Sequence, residues 1–224
     1  MNQINVKPLI YLITCALFLQ LIGHYFAGKY LVYNDFMGLW TVTRIILPLL
    51  VVLLLSIPLN IYSIKIPIFD KHTFRVVLLC FVGLVLLTLY LANFADVYLS
   101  HYRKGATLEY LRHTQRFERF MVFTVSTVIA WEIFHRGFLL GSIRYSLNKH
   151  MGIEPKSSAV IAMLFVSCFE SLFHIKKPMF ESIPFILASL VLSWLTIKTR
   201  SLWPALIIHF VIEVIFGYSA YVGW

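Results

Sequence analysis

The chain has 224 residues, of which 60% are hydrophobic and 13% are charged, and its mean hydropathy is +0.82. An ordinary soluble domain carries about 25% charged residues, so this composition excludes such a domain and indicates a membrane protein. The net charge of +9 does not indicate a nucleic-acid partner, because Lys and Arg lie in short clusters between apolar runs, as is typical of anchoring at a membrane surface.

Seven apolar segments follow one another along the chain, at about 8–27, 39–62, 74–95, 119–146, 157–176, 182–198 and 203–222. About 20 helical residues cross a hydrocarbon core, and backbone groups in lipid must be hydrogen-bonded internally. The segments predict an all-α, polytopic membrane bundle of about seven transmembrane helices. We expect one transmembrane domain over 1–224, with N-terminal helices and an amphipathic connection in 1–118 and a four-helix catalytic core in 119–224.

The first two segments carry features that bear on where helices begin and end. No small-x-small cleavage motif follows the apolar stretch 8–26, which is predicted to be the first transmembrane helix. In the second segment, Pro48 and Pro58 are expected to kink or shorten the helix, because proline lacks a backbone donor and clashes with the preceding turn. Arg44 is expected to extend its charged group to the membrane surface.

The connection 96–118 mixes cations with apolar residues, which predicts a basic amphipathic helix on the membrane surface. Basic residues are nearly equal in number on the two sides of the predicted bundle, so the positive-inside rule does not assign an orientation. Cys15, Cys80 and Cys168 lie within apolar runs without paired spacing and are interpreted as small buried hydrophobic residues.

Ionisable side chains inside the late segments are the main functional signal. They form three pairs, each spaced by four residues: Glu132 with Arg136, Glu170 with His174, and His209 with Glu213. Each such charge costs about 2.5–3.5 kcal/mol on insertion scales, and the spacing places both members of a pair on one helix face. Separately, each pair is explained by a local ion pair or a core histidine; together they predict one shared polar cavity.

A polar cavity of this kind supports hydrolysis. A carboxylate or an imidazole accepts a proton from water as the water attacks a carbonyl group, and a second histidine or a cation stabilises the developing oxyanion. The residue types leave open which group takes which role. Gly137 and Gly141, in the same segment, are expected to allow close approach of another helix.

At these residues the chain resembles the CPBP family, which includes the CAAX prenyl endopeptidases and bacterial Abi proteins. The family shows Glu-Glu-x-x-x-Arg, then Phe-x-x-x-His, then His-x-x-x-Asn or Asp, on successive core helices. The matching stretches run from Trp131 to Arg136, from Glu170 to His174 and from His209 to Glu213. Over about 119–217, the resemblance implies a glutamic-type membrane protease with Glu132, Arg136, Glu170, His174, His209 and Glu213 at its site, and no metal or other cofactor.

Three positions depart from the family pattern. The first Glu, to which the resemblance assigns the activation of water, is Trp131, and the Phe four residues before the histidine is Glu170. We hypothesise that these changes compensate, with Glu170 supplying the missing carboxylate, Trp131 filling the volume of the Phe, and Glu132 orienting Arg136. Glu213 replaces Asn or Asp and is expected to alter oxyanion stabilisation.

The two histidines present a problem of depth. His174 lies just before a pair of lysines at a predicted membrane surface, whereas His209 lies about 8 Å into a helix that enters from the opposite face. The two can share a site only if the turn between their helices is sunk below the surface. We therefore predict that 175–181 lines a water-filled recess, as non-helical backbone at membrane depth requires.

The sequence predicts an intramembrane endopeptidase that cleaves a membrane-tethered protein or peptide, in a multi-pass protein of a prokaryotic inner membrane. Three alternatives remain open. One is a catalytically inactive membrane regulator or immunity protein of the same fold, and another is a metal-dependent protease that uses the acids and histidines as ligands. The third is a transporter with a proton or ion relay, for which no inverted repeat is found.

Overall fold

The computed structural model describes residues 5–27, 40–94, 117–172 and 179–222. Regular secondary structure in these ranges is entirely helical, which confirms the all-α class. The α-helices are α1 Lys7–Ala27, α2 Leu47–Leu54, α3 Lys71–Phe94, α4 Phe117–Glu132, α5 Leu140–Met151, α6 Pro155–Leu172, α7 Met179–Thr199 and α8 Trp203–Val222. Two π-helical stretches, Val42–Ile46 and Ile133–Leu139, and a 3₁₀ turn, Leu59–Tyr62, complete the described elements. The predicted amphipathic connection, 96–118, lies almost entirely outside the described residues.

Two of the described helices, over Lys71–Leu91 and Pro155–Leu172, are long and apolar enough to cross a membrane. Four further apolar helical stretches of 10–17 residues are Lys7–Ile22, Val42–Leu54, Ile183–Thr199 and Trp203–Ile215. These features agree with a membrane protein. The number of seven spans is not confirmed and stays a prediction.

The second predicted segment is shorter than expected as a helix, and its prolines explain why. Pro48 lies in the first turn of α2, directly after the wider π-helical stretch Val42–Ile46. Pro58 has an extended backbone and begins the 3₁₀ turn, four residues beyond the end of α2. Because proline cannot donate a helical hydrogen bond, the predicted shortening of this helix is confirmed.

Helix α3 begins at a side-chain cap. The Asp70 carboxylate accepts hydrogen bonds from the Thr73 backbone N–H at 2.8 Å and from the Thr73 hydroxyl at 2.9 Å. These hydrogen bonds hold the pKa of Asp70 below its usual value, because they stabilise the charged form. The cap satisfies a backbone donor that the first helical turn leaves unpaired.

The fourth predicted segment is one continuous helical run made of α4, the π-helical stretch Ile133–Leu139 and α5. Its backbone stays right-handed and helical at both junctions, Glu132 and Leu140. The run ends at Gly152, whose φ of 68° places it in the left-handed conformation that favours glycine at a helix C-terminus. Stretches of π-helix within regular helices are frequent at functional sites, and this one contains Arg136.

The close-packing prediction for Gly137 and Gly141 is confirmed, but their partner is the short 3₁₀ turn Leu59–Tyr62. A Cβ atom added at Gly141 would lie 2.6 Å from the backbone oxygen of Ile61, and one at Gly137 would lie 2.8 Å from the Tyr62 ring. Only glycine allows this approach. The glycines thereby fix the 3₁₀ turn against the helix that carries Arg136.

Two apolar clusters lie on either side of the polar residues. The larger joins α1, α2, the π-helical stretch Ile133–Leu139 and α6, and includes Leu12, Val52, Phe134, Phe138 and Val166. The smaller joins α3, α7 and α8, and includes Leu84, Leu192, Leu195, Ala205 and Ile208. Between them, polar side chains of α4, the π-helical stretch, α7 and α8 contact one another.

One end of the bundle is closed by hydrogen bonds between loops. The Ser201 hydroxyl donates to the Lys65 carbonyl at 2.7 Å, and the Leu202 N–H donates to the Ser63 carbonyl at 2.8 Å. The Asn5 N–H donates to the His150 carbonyl at 3.1 Å. Residues of the loop before α3, the end of α5 and the α7–α8 junction also line one cavity, so these segments and the start of α1 lie at the same end.

Candidate active site

Glu132 and Arg136 form the predicted pair on one helix face. An N–H of Arg136 donates to Glu132 Oε1 at 3.1 Å, and both side chains are buried. A buried charge requires a partner of opposite sign and further hydrogen bonds. The pair meets part of that requirement and turns the guanidinium towards the neighbouring helices.

Arg136 also binds Glu170 of α6, so one guanidinium bridges two carboxylates from different helices. Its second terminal nitrogen donates to Ser189 Oγ of α7 at 3.1 Å, and the Ser189 hydroxyl in turn donates to Glu170 Oε2. Ser189 is fully buried and carries no charge that would have marked it in the sequence. Arg136 is the centre of this network.

His209 of α8 completes the cluster. Its Nδ1 lies 2.5 Å from Glu132 Oε1, and its Nε2 lies 3.5 Å from Glu213 Oε1. A carboxylate can only accept a hydrogen bond, so the contact with Glu132 places a proton on Nδ1. The other ring nitrogen faces Glu213, whose side chain is 40% exposed.

Trp131 and Glu170, the two residues that depart most from the family pattern, are in direct contact. The indole N–H of Trp131 donates to Glu170 Oε1 at 2.6 Å, across the interface of α4 and α6. The compensation hypothesis relates these same two positions, and the contact is consistent with it. The catalytic role that the hypothesis gives to Glu170 is not tested by the contact and stays a hypothesis.

Arg44 is a buried part of this region, and the prediction that it extends to the membrane surface is wrong. Its guanidinium carbon lies 3.8 Å from the Trp40 ring centroid and 4.8 Å from that of Trp131, and an N–H donates to Gln20. Aromatic faces and an amide oxygen substitute for water around the cation. Since this charge lay alone in an apolar segment, the sequence offered no sign of its partners.

His135 is a second residue that the sequence reasoning missed. It is fully buried, and its Nδ1 lies 3.0 Å from the Trp131 carbonyl oxygen and 3.4 Å from Glu170 Oε1. Its ring packs against that of Trp131 with the centroids 4.3 Å apart and the two planes tilted by 38°. The available signal was the four-residue spacing from Trp131, but an aromatic residue gave no reason to look for a polar neighbour.

A small cavity of about 50 Å³ borders the cluster between α3, α7 and α8. Its polar lining consists of Thr88, Arg136, Ser189, His209 and Glu213, and Leu84, Leu91 and Leu192 contribute to its apolar wall. A water molecule occupies about 30 Å³ and requires two to four polar partners. The cavity therefore has both the room and the hydrogen-bonding groups for water.

His174, the remaining predicted site residue, lies outside the described residues, as do 175–178 and the side chains of 179–181 of the predicted recess. The described part of the chain contains no group of three or more His, Cys, Asp or Glu residues arranged to hold a metal ion. Since His174 is one of the ligands that the metal alternative invokes, that alternative remains untested.

The fold and the site together define a helical protein with apolar, membrane-type helices around a buried cluster of carboxylates, arginine and histidine. Residues 115–215 match the family model described as Type II CAAX prenyl endopeptidase Rce1-like. This match confirms the resemblance of the segment to the CPBP family. At the coarse level, it supports a protease-type hydrolase associated with a membrane. Searches of curated proteins and of solved structures found no significant match.

Proposed function

We propose that the chain is an intramembrane endopeptidase that hydrolyses a peptide bond in a membrane-tethered protein or peptide. One observation carries the proposal: Glu132, Arg136, Glu170 and His209 form a single buried cluster beside a cavity with room for water. A substrate already held in the membrane reaches such a site without crossing bulk water. The proposed setting is a multi-pass protein of a prokaryotic inner membrane.

The geometry favours His209 as the group that accepts the proton of water. With Nδ1–H directed to Glu132, Nε2 is the nitrogen that faces both Glu213, at 3.5 Å, and the small cavity, and in the neutral tautomer its lone pair accepts a proton from water there. A carboxylate that fixes the tautomer of a catalytic histidine also stabilises the imidazolium that forms. Glu132 has that position here.

The reaction then needs a group that binds the developing oxyanion. The water oxygen bonds to the substrate carbonyl carbon as its proton moves to His209 Nε2. Arg136 lines the same cavity and stabilises the negative charge on the carbonyl oxygen, an effect that is strong where bulk water is excluded. The intermediate collapses as the peptide C–N bond breaks, and His209 returns the proton to the leaving amine.

Glu170 is the alternative proton acceptor under the compensation hypothesis. Both oxygens of its carboxylate already accept hydrogen bonds, from Trp131 and Arg136 at Oε1 and from Ser189 at Oε2, and Glu170 does not line the small cavity. In the assignment that we favour, Glu170 holds Arg136 in place and does not take the proton.

Substitution of the three residues tests the assignment. The purified full-length chain in lipid nanodiscs is incubated with a membrane-anchored peptide, and products are identified by mass spectrometry. We expect Glu132→Gln and His209→Gln to lower the cleavage rate at least about a hundredfold, as for loss of general base catalysis, and Glu170→Gln to leave measurable cleavage. Glu154→Gln, an exposed acid outside the cluster, is the matched control.

Several outcomes would contradict parts of the proposal. Cleavage that survives Glu132→Gln but not Glu170→Gln would make Glu170 the base. Loss of activity on chelation and its return with added metal would favour the metal-dependent protease. A comparison of membrane proteins in cells with and without the chain identifies substrates, and a failure to find any lost C-terminal cleavage would favour the inactive regulator.

A further inference from the structure

A cavity of about 790 Å³ opens at the end of the bundle where the loops are joined. The 3₁₀ turn and the loop that follows it form one side, and α5, the start of α6 and the end of α7 form the other. Arg136 lines both this cavity and the small one beside His209. The large cavity thus extends from the bundle end to the charged cluster.

Positive charge dominates this cavity. Lys65, Arg144 and Arg200 line it together with Arg136, and none of the described residues that line it is acidic. Lys65, Arg144 and Arg200 form no ion pair with the acids whose side chains are described. Asn60, Tyr145 and Asn148 add neutral hydrogen-bonding groups. The lining is therefore suited to an anion.

The mouth of the cavity is built for contact with lipid. The loop that carries Lys65 exposes Ile64 by 60%, Ile66 by 80% and Ile68 fully. Trp203 is 40% exposed and donates its indole N–H to the Ile64 carbonyl at 3.1 Å. Tryptophan is enriched where the membrane meets water, and exposed isoleucines favour acyl chains over water, which indicates that the cavity mouth lies near the depth of lipid phosphates.

We propose that this cavity binds the phosphate group of an anionic phospholipid. The phosphate is held by Lys65, Arg144 and Arg200, and the acyl chains lie along Ile64, Ile66 and Ile68. Basic pockets between helices at the membrane surface are the recognised chemistry for lipid phosphates. The proposal does not depend on peptidase activity, since it concerns binding alone.

Native mass spectrometry of the detergent-purified full chain measures this binding, with phosphatidylglycerol and phosphatidylcholine of the same acyl chains as probes. We expect the wild type to retain phosphatidylglycerol at least about fivefold better. Each cation removed should lower retention about fivefold, so that Arg144→Gln with Arg200→Gln lowers it about 25-fold. Lys149→Gln with Lys156→Gln removes the same charge at the same end but outside the cavity, and should leave retention unchanged.

Three results would overturn the proposal. The first is equal retention by the cavity variant and the control variant, with both showing the wild-type melting temperature in phosphatidylcholine. The second is displacement of the lipid by inorganic phosphate or glycerol 3-phosphate at similar concentration, which would assign the site to a soluble phosphate. The third is displacement by a short acidic peptide, which would assign the cavity to a peptide.

Discussion

At the scale of single residues, Arg136 determines whether the site can exist in an apolar bundle. Two buried carboxylates, Glu132 and Glu170, share its guanidinium, and Ser189 satisfies the remaining terminal nitrogen. Buried charges without partners cost several kcal/mol each. The arginine therefore has a structural role even before any role in catalysis.

The contact between Trp131 and Glu170 gives a prediction at this scale. Trp131→Phe keeps most of the ring but removes the N–H that donates to Glu170 at 2.6 Å. Because a hydrogen bond to a charged group contributes about 1.5–3 kcal/mol, we expect a lower melting temperature in detergent. Trp194→Phe, at a half-exposed ring, is the control. Equal melting temperatures for the two variants would show that the indole contact contributes nothing to stability.

Most of the site residues could be predicted from the sequence because a charge in an apolar segment is conspicuous. Glu132, Arg136, Glu170 and His209 are brought together as predicted, and Glu213 reaches the edge of the cluster. His174 is untested. Ser189 could not be predicted, because a serine within a membrane helix is common, and its contacts depend on how α7 faces α6.

At the scale of elements, the lengths of the apolar segments predicted where the helices lie, and single residues such as Pro58 and Gly152 decided where they end. The predicted segment 203–222 coincides with α8, whereas the segment 39–62 contains a helix that ends at Leu54. Neither π-helical stretch was predicted, because a wider turn depends on the partners of its backbone and side chains. The contacts of Arg44 and Arg136 are made in those stretches.

The packing of the 3₁₀ turn against Gly141 gives the prediction at this scale. Gly141→Ala places a methyl group 2.6 Å from a backbone oxygen that cannot move independently. We expect a loss of about 1–3 kcal/mol in stability, as for overpacking in a core, measured by thermal or denaturant unfolding in detergent. The turn carries part of the lipid cavity, so phosphatidylglycerol retention should fall as well.

The matched control is Gly83→Ala in α3, where an added Cβ meets nothing within 4 Å. Alanine has the higher helix propensity, so stability should stay the same or rise. If both variants lose the same stability, the loss comes from replacing any helical glycine in this protein, and the close approach at Gly141 is not responsible.

At the scale of the whole molecule, the loops at one end are joined by hydrogen bonds, and this constrains the path of the chain. The loop before α3 contacts the α7–α8 junction, and the start of α1 contacts the end of α5. Composition predicted a membrane protein, but neither composition nor charge showed which end of the bundle faces which side of the membrane. Lys and Arg are divided almost evenly between the two sides of the predicted bundle, so counting them could not assign the orientation of the chain in the membrane.

The accessibility of single cysteines tests two of the seven predicted spans, 74–95 and 119–146. In a chain with Cys15, Cys80 and Cys168 replaced by alanine, one cysteine is introduced at Lys71, Lys104 or Lys149. The predicted order of segments places one span between the first two positions and another between the last two. A membrane-impermeant maleimide applied to sealed vesicles should therefore label positions 71 and 149 from the same side, and position 104 from the opposite side.

The same labelling distinguishes the competing arrangements of α3, which is one of the two clear span candidates. If positions 71 and 104 are labelled from one side, α3 does not cross the bilayer, and its exposed apolar residues Leu79 and Leu86 require another partner. If 104 and 149 share a side, the helical run through Arg136 does not cross. Either result would remove the water-excluding surroundings on which the proposed hydrolysis depends, because Glu132 and Arg136 lie in that run and the small cavity is walled by α3.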